Sequence, residues 1–504
     1  MAEPLQCDVL VAGGGINGVA IARDAAGRGL DTILCEQDDL ASHTSSASTK
    51  LIHGGLRYLE HGEIGLVRKA LRERELLLHA APHLVRPLRL VLVHDDSMRP
   101  AWMLRAGLWL YDALAGSSSL PASRRVDLRS HPAGRALAPG FRTGFEFSDA
   151  WTDDARLVVT VAIDAAEKGA RILTRTRLTR ARREGPAWSV DGGGSRGGEV
   201  RIRARALVNA TGPWAGRFLQ RVCGTESERR LRLVKGSHLV LRRSLAPGYA
   251  VVLQAADRRI AFAIPFEDDF TLIGTTDVEI AQEPGEARIE AAEIDYLCGL
   301  ANRYLAQPIG RPDIAWSFCG VRPLLDDGAD PSAVTRDYAL ELDHPRQGAP
   351  LLTVWGGKIT TFRTLGEQAV DRLAPVLGCA RRGWTHDARL PGGYLKGSGH
   401  GALAEWVRDL ATQYGWMPAH ALRRMAYAYG SRLHDVLGSA RSQDDLGEPV
   451  ADGLYEAELE YLIAREWARS ADDVLWRRSK LGLHLAPGQA QRVADWFERR
   501  HARP

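Results

Sequence analysis

"CDVLVAGGGINGVAIARDAAGRGLDTILCEQDD", residues 7–39, decides the fold. It reads as strand, glycine turn, helix, strand. Val9 to Val11 lie in a short apolar run, the pattern of a parallel strand buried on both faces. Gly13, Gly15 and Gly18 then match GxGxxG. The first glycine permits a tight turn, the second lets a pyrophosphate approach the backbone, and the third lets helix and strand pack closely. Ile16 and Asn17 open the helix, whose free N–H groups and positive dipole end suit phosphate. Glu36 ends the next strand, "TILCE", where its carboxylate is placed to accept hydrogen bonds from a ribose diol. A lone GxGxxG says little. Strand, helix, second strand and terminal acid together predict a dinucleotide site in an α/β, Rossmann-type domain, against the alternative of a glycine-rich turn in an unrelated α/β protein.

The next stretch bears on which dinucleotide. "TSSASTKLIHGGLRYLEHG", residues 44–62, puts five hydroxyls (Thr44, Ser45, Ser46, Ser48, Thr49) ahead of Lys50 and Leu51. A minimal NAD-binding unit does not call for such a loop. Small hydroxyls can bond phosphate and flavin oxygens without filling the space a bulky isoalloxazine needs. Gly54 and Gly55 would let backbone lie against a flat ring. The pattern therefore favours FAD. Serine and threonine are also good helix N-caps, so a capped helix start is a second reading of the same residues.

Composition bounds the rest. A chain of 504 residues suits two or three domains, and 45% hydrophobic with 25% charged residues is ordinary globular composition. The formal net charge of +4 is too small to argue for nucleic acid. Six scattered cysteines form no CxxC pair, so neither a metal centre nor a disulfide framework is expected, and a reducing compartment fits. "MAEPLQCDVLVAGGG" has no basic n-region and reads as no signal peptide. No apolar run reaches the roughly 18 residues of a spanning helix.

Further along, residues 151–179 read as a helix capped by Thr152 or Asp153, stopped at Gly169, and leading into a strand. Residues 187–215 read as a hairpin with a glycine-rich tip and then a strand ending at Thr211-Gly212. "LLTVWGGKITTFRTLGEQAVDRL", residues 351–373, repeats strand, Gly-Gly, helix. Lys358 and Thr360 stand at the helix start, where they would suit flavin carbonyls or a substrate anion. "RRIAFAIPFEDDFTLIGTTD" alternates as antiparallel strands do. From about residue 385 the apolar spacing becomes helical. The expected architecture is a discontinuous FAD-binding α/β domain (1–85, 150–224, 316–384), an antiparallel-sheet substrate cap (86–149, 225–315) and an all-helical C-terminal domain (385–504).

Four strings carry a resemblance: "GGGINGVAIARDAAGRGL", "SSASTKLIHGGLRYLEHG", "RPAWMLRAGLWLYDAL" and "DDVLWRRSKLGLHL". They resemble the bacterial, aerobic, FAD-dependent glycerol-3-phosphate dehydrogenases, within the D-amino-acid-oxidase-like flavoproteins, over essentially the whole chain. The resemblance implies non-covalent FAD and oxidation of sn-glycerol 3-phosphate to dihydroxyacetone phosphate by hydride transfer from C2 to flavin N5. It implies electrons passed to membrane quinone, and a peripheral position on the cytoplasmic face of the inner membrane. A homodimer is left open. It also implies that Thr211-Gly212 lies against FAD, and that Arg57, Tyr58, Arg322, Arg336, Lys358 and His238 line the substrate pocket. A phosphomonoester needs fixed cations, which arginine supplies with a planar fork. Arg322 is the candidate to stabilise a developing alkoxide, and His238 the candidate base, with His53 competing for that role. Residues 99–116 combine Trp102, Trp109 and Tyr111 with Arg99 and Arg105, which suits either a membrane interface or a buried cap helix. Two other readings stand beside this one: an oxygen-using glycerol-3-phosphate oxidase, and a non-catalytic, phosphate-sensing flavoprotein.

Overall fold

The computed structural model describes residues 3–95, 99–194, 198–255, 259–326, 337–395 and 401–502. Two sheets organise it. In the first, the strands Leu351–Gly356, Glu199–Asn209, Leu5–Ala12, Thr32–Cys35 and Arg171–Leu173 lie side by side and parallel. Tyr338–Asp343 and a hairpin, Thr176–Glu184 with Ala187–Gly194, add antiparallel edges. The central strands are buried on both faces: Val9, Leu10 and Val11 are fully covered, as their uninterrupted apolar run requires. The helices Ile16–Gly27, Asp154–Glu167 and Phe362–Leu377 pack together over one face. Asp153 caps the second of these, its Oδ1 accepting from Arg156 N at 3.1 Å.

The second sheet has ten strands, from Val278–Glu279 through Leu231–Leu241 and Val85–His94 to Thr143–Thr152 and Leu51–Ile52. The strands Ile260–Phe266 and Phe270–Gly274 pair antiparallel, as their alternation suggests. One junction departs from a purely antiparallel cap: Tyr249–Gln254 runs parallel to Val85–His94. The strand Ile314–Leu325 pairs with Leu231–Leu241 along almost its full length, so the boundary expected at residue 316 falls inside a strand of this sheet. The boundary at residue 150 likewise falls inside Thr143–Thr152. Periodicity marks a strand but not which sheet its hydrogen bonds join. The loop that follows the first nucleotide strands also ends here, because Leu51–Ile52 pairs with Thr143–Thr152.

The C-terminal region is helical apart from a small hairpin, Pro449–Ala451 with Leu454–Tyr455. It has its own core, including Trp406, Leu422, Met425, Leu459 and Phe497. Among the described residues no helix is long and apolar enough to cross a membrane. The helix Ala101–Ala115 is two-faced: Leu108 and Tyr111 are buried, while Trp102 and Trp109 are 70% and 67% exposed.

Candidate active site

A cavity of about 950 Å³ lies between the two sheets. On one side it is lined by Gly13, Gly15, Ile16, Asn17 and Glu36, on the other by His53, Tyr58, Arg322, Lys358 and Thr360. The first group comes from the ends of parallel strands, where ligands of open α/β sheets collect.

The glycine turn leaves no room for side chains. Gly13 has φ +109°, and a Cβ there would sit 2.5 Å from the Ala210 carbonyl oxygen. A Cβ on Gly18 would meet the Gly13 carbonyl at 1.9 Å, so the third glycine serves helix–strand packing and does not face the cavity. The Glu36 carboxylate accepts from Gly14 N at 2.7 Å and from Asp38 N at 2.8 Å. Burial pushes its pKa up, against those two N–H donors. Ile16 N donates to Ser45 Oγ at 3.0 Å, and Asn17 Nδ2 donates to the Gly356 carbonyl at 3.1 Å. Thr211 and Gly212 also line the cavity, with Thr211 Oγ1 donating to Asn209 at 2.7 Å. Buried acid, backbone-only turn and open helix end fit the ribose and pyrophosphate of a dinucleotide.

The hydroxyl loop divides. Thr44, Ser45, Ser48, Thr49 and Leu51 line the cavity; Ser46 and Lys50 do not. Lys50 is fully buried, its Nζ donating to Asp154 Oδ1 at 2.6 Å and to the Ser46 carbonyl at 3.2 Å. Ser48 donates to the other oxygen of Asp154 at 2.7 Å. Lys50 therefore holds the loop to a helix start and points away from the cavity. Gly54 and Gly55 are likewise off the cavity: a Cβ on Gly54 would press on Leu71 at 2.6 Å and on the Tyr111 hydroxyl at 2.7 Å. A Cβ on Gly55 would fall on the Tyr58 ring at 2.1 Å, so the pair makes room for the protein's own side chains.

On the substrate side, Lys358 Nζ lies 3.9 Å from the centre of the Tyr58 ring, and both line the cavity. His53 lines it too, its backbone N–H donating to Thr360 Oγ1 at 3.3 Å. Arg57 sits half-buried in the turn Leu56–His61 and is not part of the lining. Arg336 lies outside the described residues. Arg322 reaches the cavity from Ile314–Leu325. Its guanidinium donates to Asp277 Oδ1 at 2.7 Å, Thr275 Oγ1 at 2.7 Å and the Thr276 carbonyl at 3.2 Å.

His238 differs from its expected place. It is 1% exposed, stacked on Phe318 at 4.8 Å, and outside the cavity lining. Its Nε2 is 3.0 Å from Thr49 Oγ1, and Thr49 faces the cavity. Burial, then the charges of Arg322 and Lys50, hold its pKa well below the usual histidine range, so the ring is neutral. It supports Thr49 from behind and leaves His53 as the histidine on the substrate side of the cavity, His43 lying at the ribose end.

Sequence reasoning missed a whole layer here. Glu293 accepts from Ser237 Oγ and Thr276 Oγ1, each at 2.8 Å, and lies 2.9 Å from Lys235 Nζ. Thr276 Oγ1 in turn accepts from Ser237 N at 3.0 Å. This cluster fixes the segment 275–277 that holds Arg322. "GTTD" ends the stretch that reads as antiparallel strands, and nothing local marks Glu293 as its partner. The only local group of acids and histidine spaced for a metal ion, among the described residues, is Glu36, Asp38 and His43, and it belongs to the ribose end of the cavity.

A family model described as FAD dependent oxidoreductase matches residues 8–363, and one described as C-terminal domain of alpha-glycerophosphate oxidase matches residues 384–501. The chain is 48% identical over 500 residues to a D-erythritol 1-phosphate dehydrogenase of Brucella abortus, covering 99% of each. It is 50% identical over 496 residues to a glycerol-3-phosphate dehydrogenase of Pseudomonas aeruginosa, covering 98% of this chain and 95% of that one. Among solved structures, a glycerol-3-phosphate dehydrogenase of Bacillus halodurans complexed with FAD matches with TM-score 0.78 and 26% identity, covering 98% of this chain and 90% of the other.

Proposed function

The chain belongs to the FAD dependent oxidoreductase family, and from that premise we propose that it oxidises sn-glycerol 3-phosphate to dihydroxyacetone phosphate. One observation carries this reading: a single cavity joins the cofactor cradle to fixed cations, Arg322 and Lys358, from opposite sheets. When bound, FAD supplies the acceptor for the hydride that leaves C2. The chain's own residues do the rest. Lys358, steadied over Tyr58, offers charge to the phosphate. Arg322, held from behind by Thr275 and Asp277, stabilises the C2 oxygen as negative charge grows on it. His53, in the cavity wall, takes the hydroxyl proton.

We further propose a peripheral position at the cytoplasmic face of the inner membrane, with quinone as the electron acceptor; Trp102 and Trp109 stand exposed on a helix that buries only Leu108 and Tyr111, which suits a membrane interface. A second reading has its own support. The full-length similarity to a D-erythritol 1-phosphate dehydrogenase favours a four-carbon polyol phosphate, which presents the same phosphate and secondary alcohol. Anaerobic titration of the yellow protein with each phosphate, without NAD, decides between them. The flavin band near about 450 nm should bleach with glycerol 3-phosphate. Bleaching by D-erythritol 1-phosphate alone would transfer the assignment to the second reading, and bleaching by neither would remove both.

A further inference from the structure

The string "DDVLWRRSKLGLHL" at 472–485 takes no part in the cofactor turn or among the substrate residues, yet the fold brings it against the ribose loop. The helical turn Asp473–Arg478 carries two arginines out of the C-terminal domain. Arg478, fully buried, donates through NH1 and NH2 to the two oxygens of Asp39 at 2.7 and 2.8 Å. Its NH2 also donates to the Glu466 carbonyl at 2.6 Å. Arg477 Nε donates to Asp39 Oδ2 at 2.7 Å. Asp39 is 1% exposed. Burial alone would raise its pKa, but the two guanidinium groups overcome that and hold it below the usual carboxylate range. A second tie lies alongside: Arg175 donates to both oxygens of Asp473 at 2.8 Å, while its backbone N–H donates to the Asp38 carbonyl at 2.9 Å.

Asp38 and Asp39 directly follow the strand end that bears Glu36, and Asp38 N is one of the two donors that orient the Glu36 carboxylate. The turn that presents Glu36 to the cavity is therefore gripped by the C-terminal domain. Arg432, by contrast, pairs with Glu167 at the far end of a helix and with Asp435. We propose that Arg478, assisted by Arg477, is a positioning residue for FAD: through Asp39 it holds the 36–39 turn, so the C-terminal domain sets the affinity of the dinucleotide site.

The test compares FAD dissociation, read by flavin fluorescence on dilution of the full-length holoprotein, with melting temperature. Arg478→Met should raise the FAD dissociation constant at least about tenfold, the scale of losing one charge-assisted hydrogen bond. Arg478→Lys should recover part of that, since lysine keeps the charge but not the fork. Arg432→Ala, an interdomain control, should lower the melting temperature and leave FAD binding unchanged. Should Arg478→Met fail to fold, Asp39→Asn carries the same expectation, because the amide accepts less strongly from both arginines. Native FAD binding in Arg478→Met, or in Asp39→Asn when that variant is used, would overturn the proposal. So would an equal loss of FAD in Arg432→Ala.

Discussion

The two sides of the cavity are made differently. The cofactor side is mostly backbone: a turn with no room for a Cβ at Gly13, a helix start at Ile16, and one acid, Glu36, held by two N–H groups within two residues of it or across the glycine turn. The substrate side is side chain held by side chain. Arg322 rests on Thr275 and Asp277, their segment rests on Glu293 through Thr276, and Thr49 rests on His238. Backbone sites need special residues at fixed local spacing. Side-chain sites need partners that only the finished fold supplies, here from strands and a helix tens of residues apart.

The largest expected effect falls on the substrate side. Arg322→Ala should slow flavin reduction by saturating polyol phosphate about 100-fold or more, the scale of losing one oxyanion donor. FAD content should remain normal, because Arg322 bonds Thr275, Thr276 and Asp277 on the second sheet, away from the glycine turn. Arg322→Lys should recover only part of the rate. Stopped-flow reduction measures this directly. If Arg322→Ala released FAD as readily as it lost rate, the two sides would not be separable, and the comparison above would fail.

The next effect falls on the cofactor side alone. Glu36→Ala should weaken FAD retention by about 1.5–3 kcal/mol, the worth of hydrogen bonds to a charged acceptor, with little change in the reduction rate of enzyme that keeps its flavin. Its pH dependence has a definite sign. Burial raises the pKa of Glu36, so the carboxylate takes up its proton at a higher pH than an exposed glutamate would. The ionised form is the ribose acceptor, so retention is complete above that pKa and falls as pH drops through it. His43 and Asp38 face the same group: the charge of His43 favours the carboxylate, and that of Asp38 opposes it. Gel filtration from about pH 8 to about pH 5, reading bound flavin, should show native enzyme losing FAD on acidification and Glu36→Gln losing it nearly independently of pH. Parallel curves for the two would remove Glu36 as the titrating group.

The same contrast explains what the sequence made legible. The strand–turn–helix, its three glycines and Glu36 could be read at once, because each is specified within about one βαβ unit. Tyr58, Lys358 and Thr360 could also be placed, on loops that follow glycine pairs. Lys50 lies off the cavity because it pairs, wholly buried, with Asp154, a partner too distant in sequence to be read locally. Gly54 and Gly55 suggested a flat ligand, when what presses on Gly54 is Leu71 and Tyr111. His238 is placed in the pocket by resemblance and made a base by its reference pKa, whereas the fold stacks it on Phe318 of a neighbouring strand and turns its Nε2 to Thr49. The boundary expected at residue 316 falls inside Ile314–Leu325, because periodicity marks a strand but does not say that its hydrogen bonds join Leu231–Leu241 in the second sheet.

The smallest effect is the most discriminating, because it tests the layer that touches no ligand. Thr276 is 2% exposed and absent from the cavity lining. Its hydroxyl links Ser237 N to Glu293, and its carbonyl accepts from Arg322. Thr276→Val keeps the shape and removes only the hydroxyl, so the Ser237 N–H and one bond to Glu293 are left unmet. About 0.5–1.5 kcal/mol of positioning should be lost, which is roughly a two- to tenfold slower flavin reduction. Because the loss acts through the aim of Arg322 on a charge that develops during reaction, kcat should fall more than KM rises. Thr276→Ser should restore the rate, since the hydroxyl returns, whereas a role in packing alone would leave serine no better than valine. Combined with Arg322→Ala, Thr276→Val should cost little more, as two residues acting through one guanidinium are not additive. Full additivity in that double variant would show that Thr276 reaches the chemistry by some route other than Arg322, and the substrate side would then rest on two independent supports.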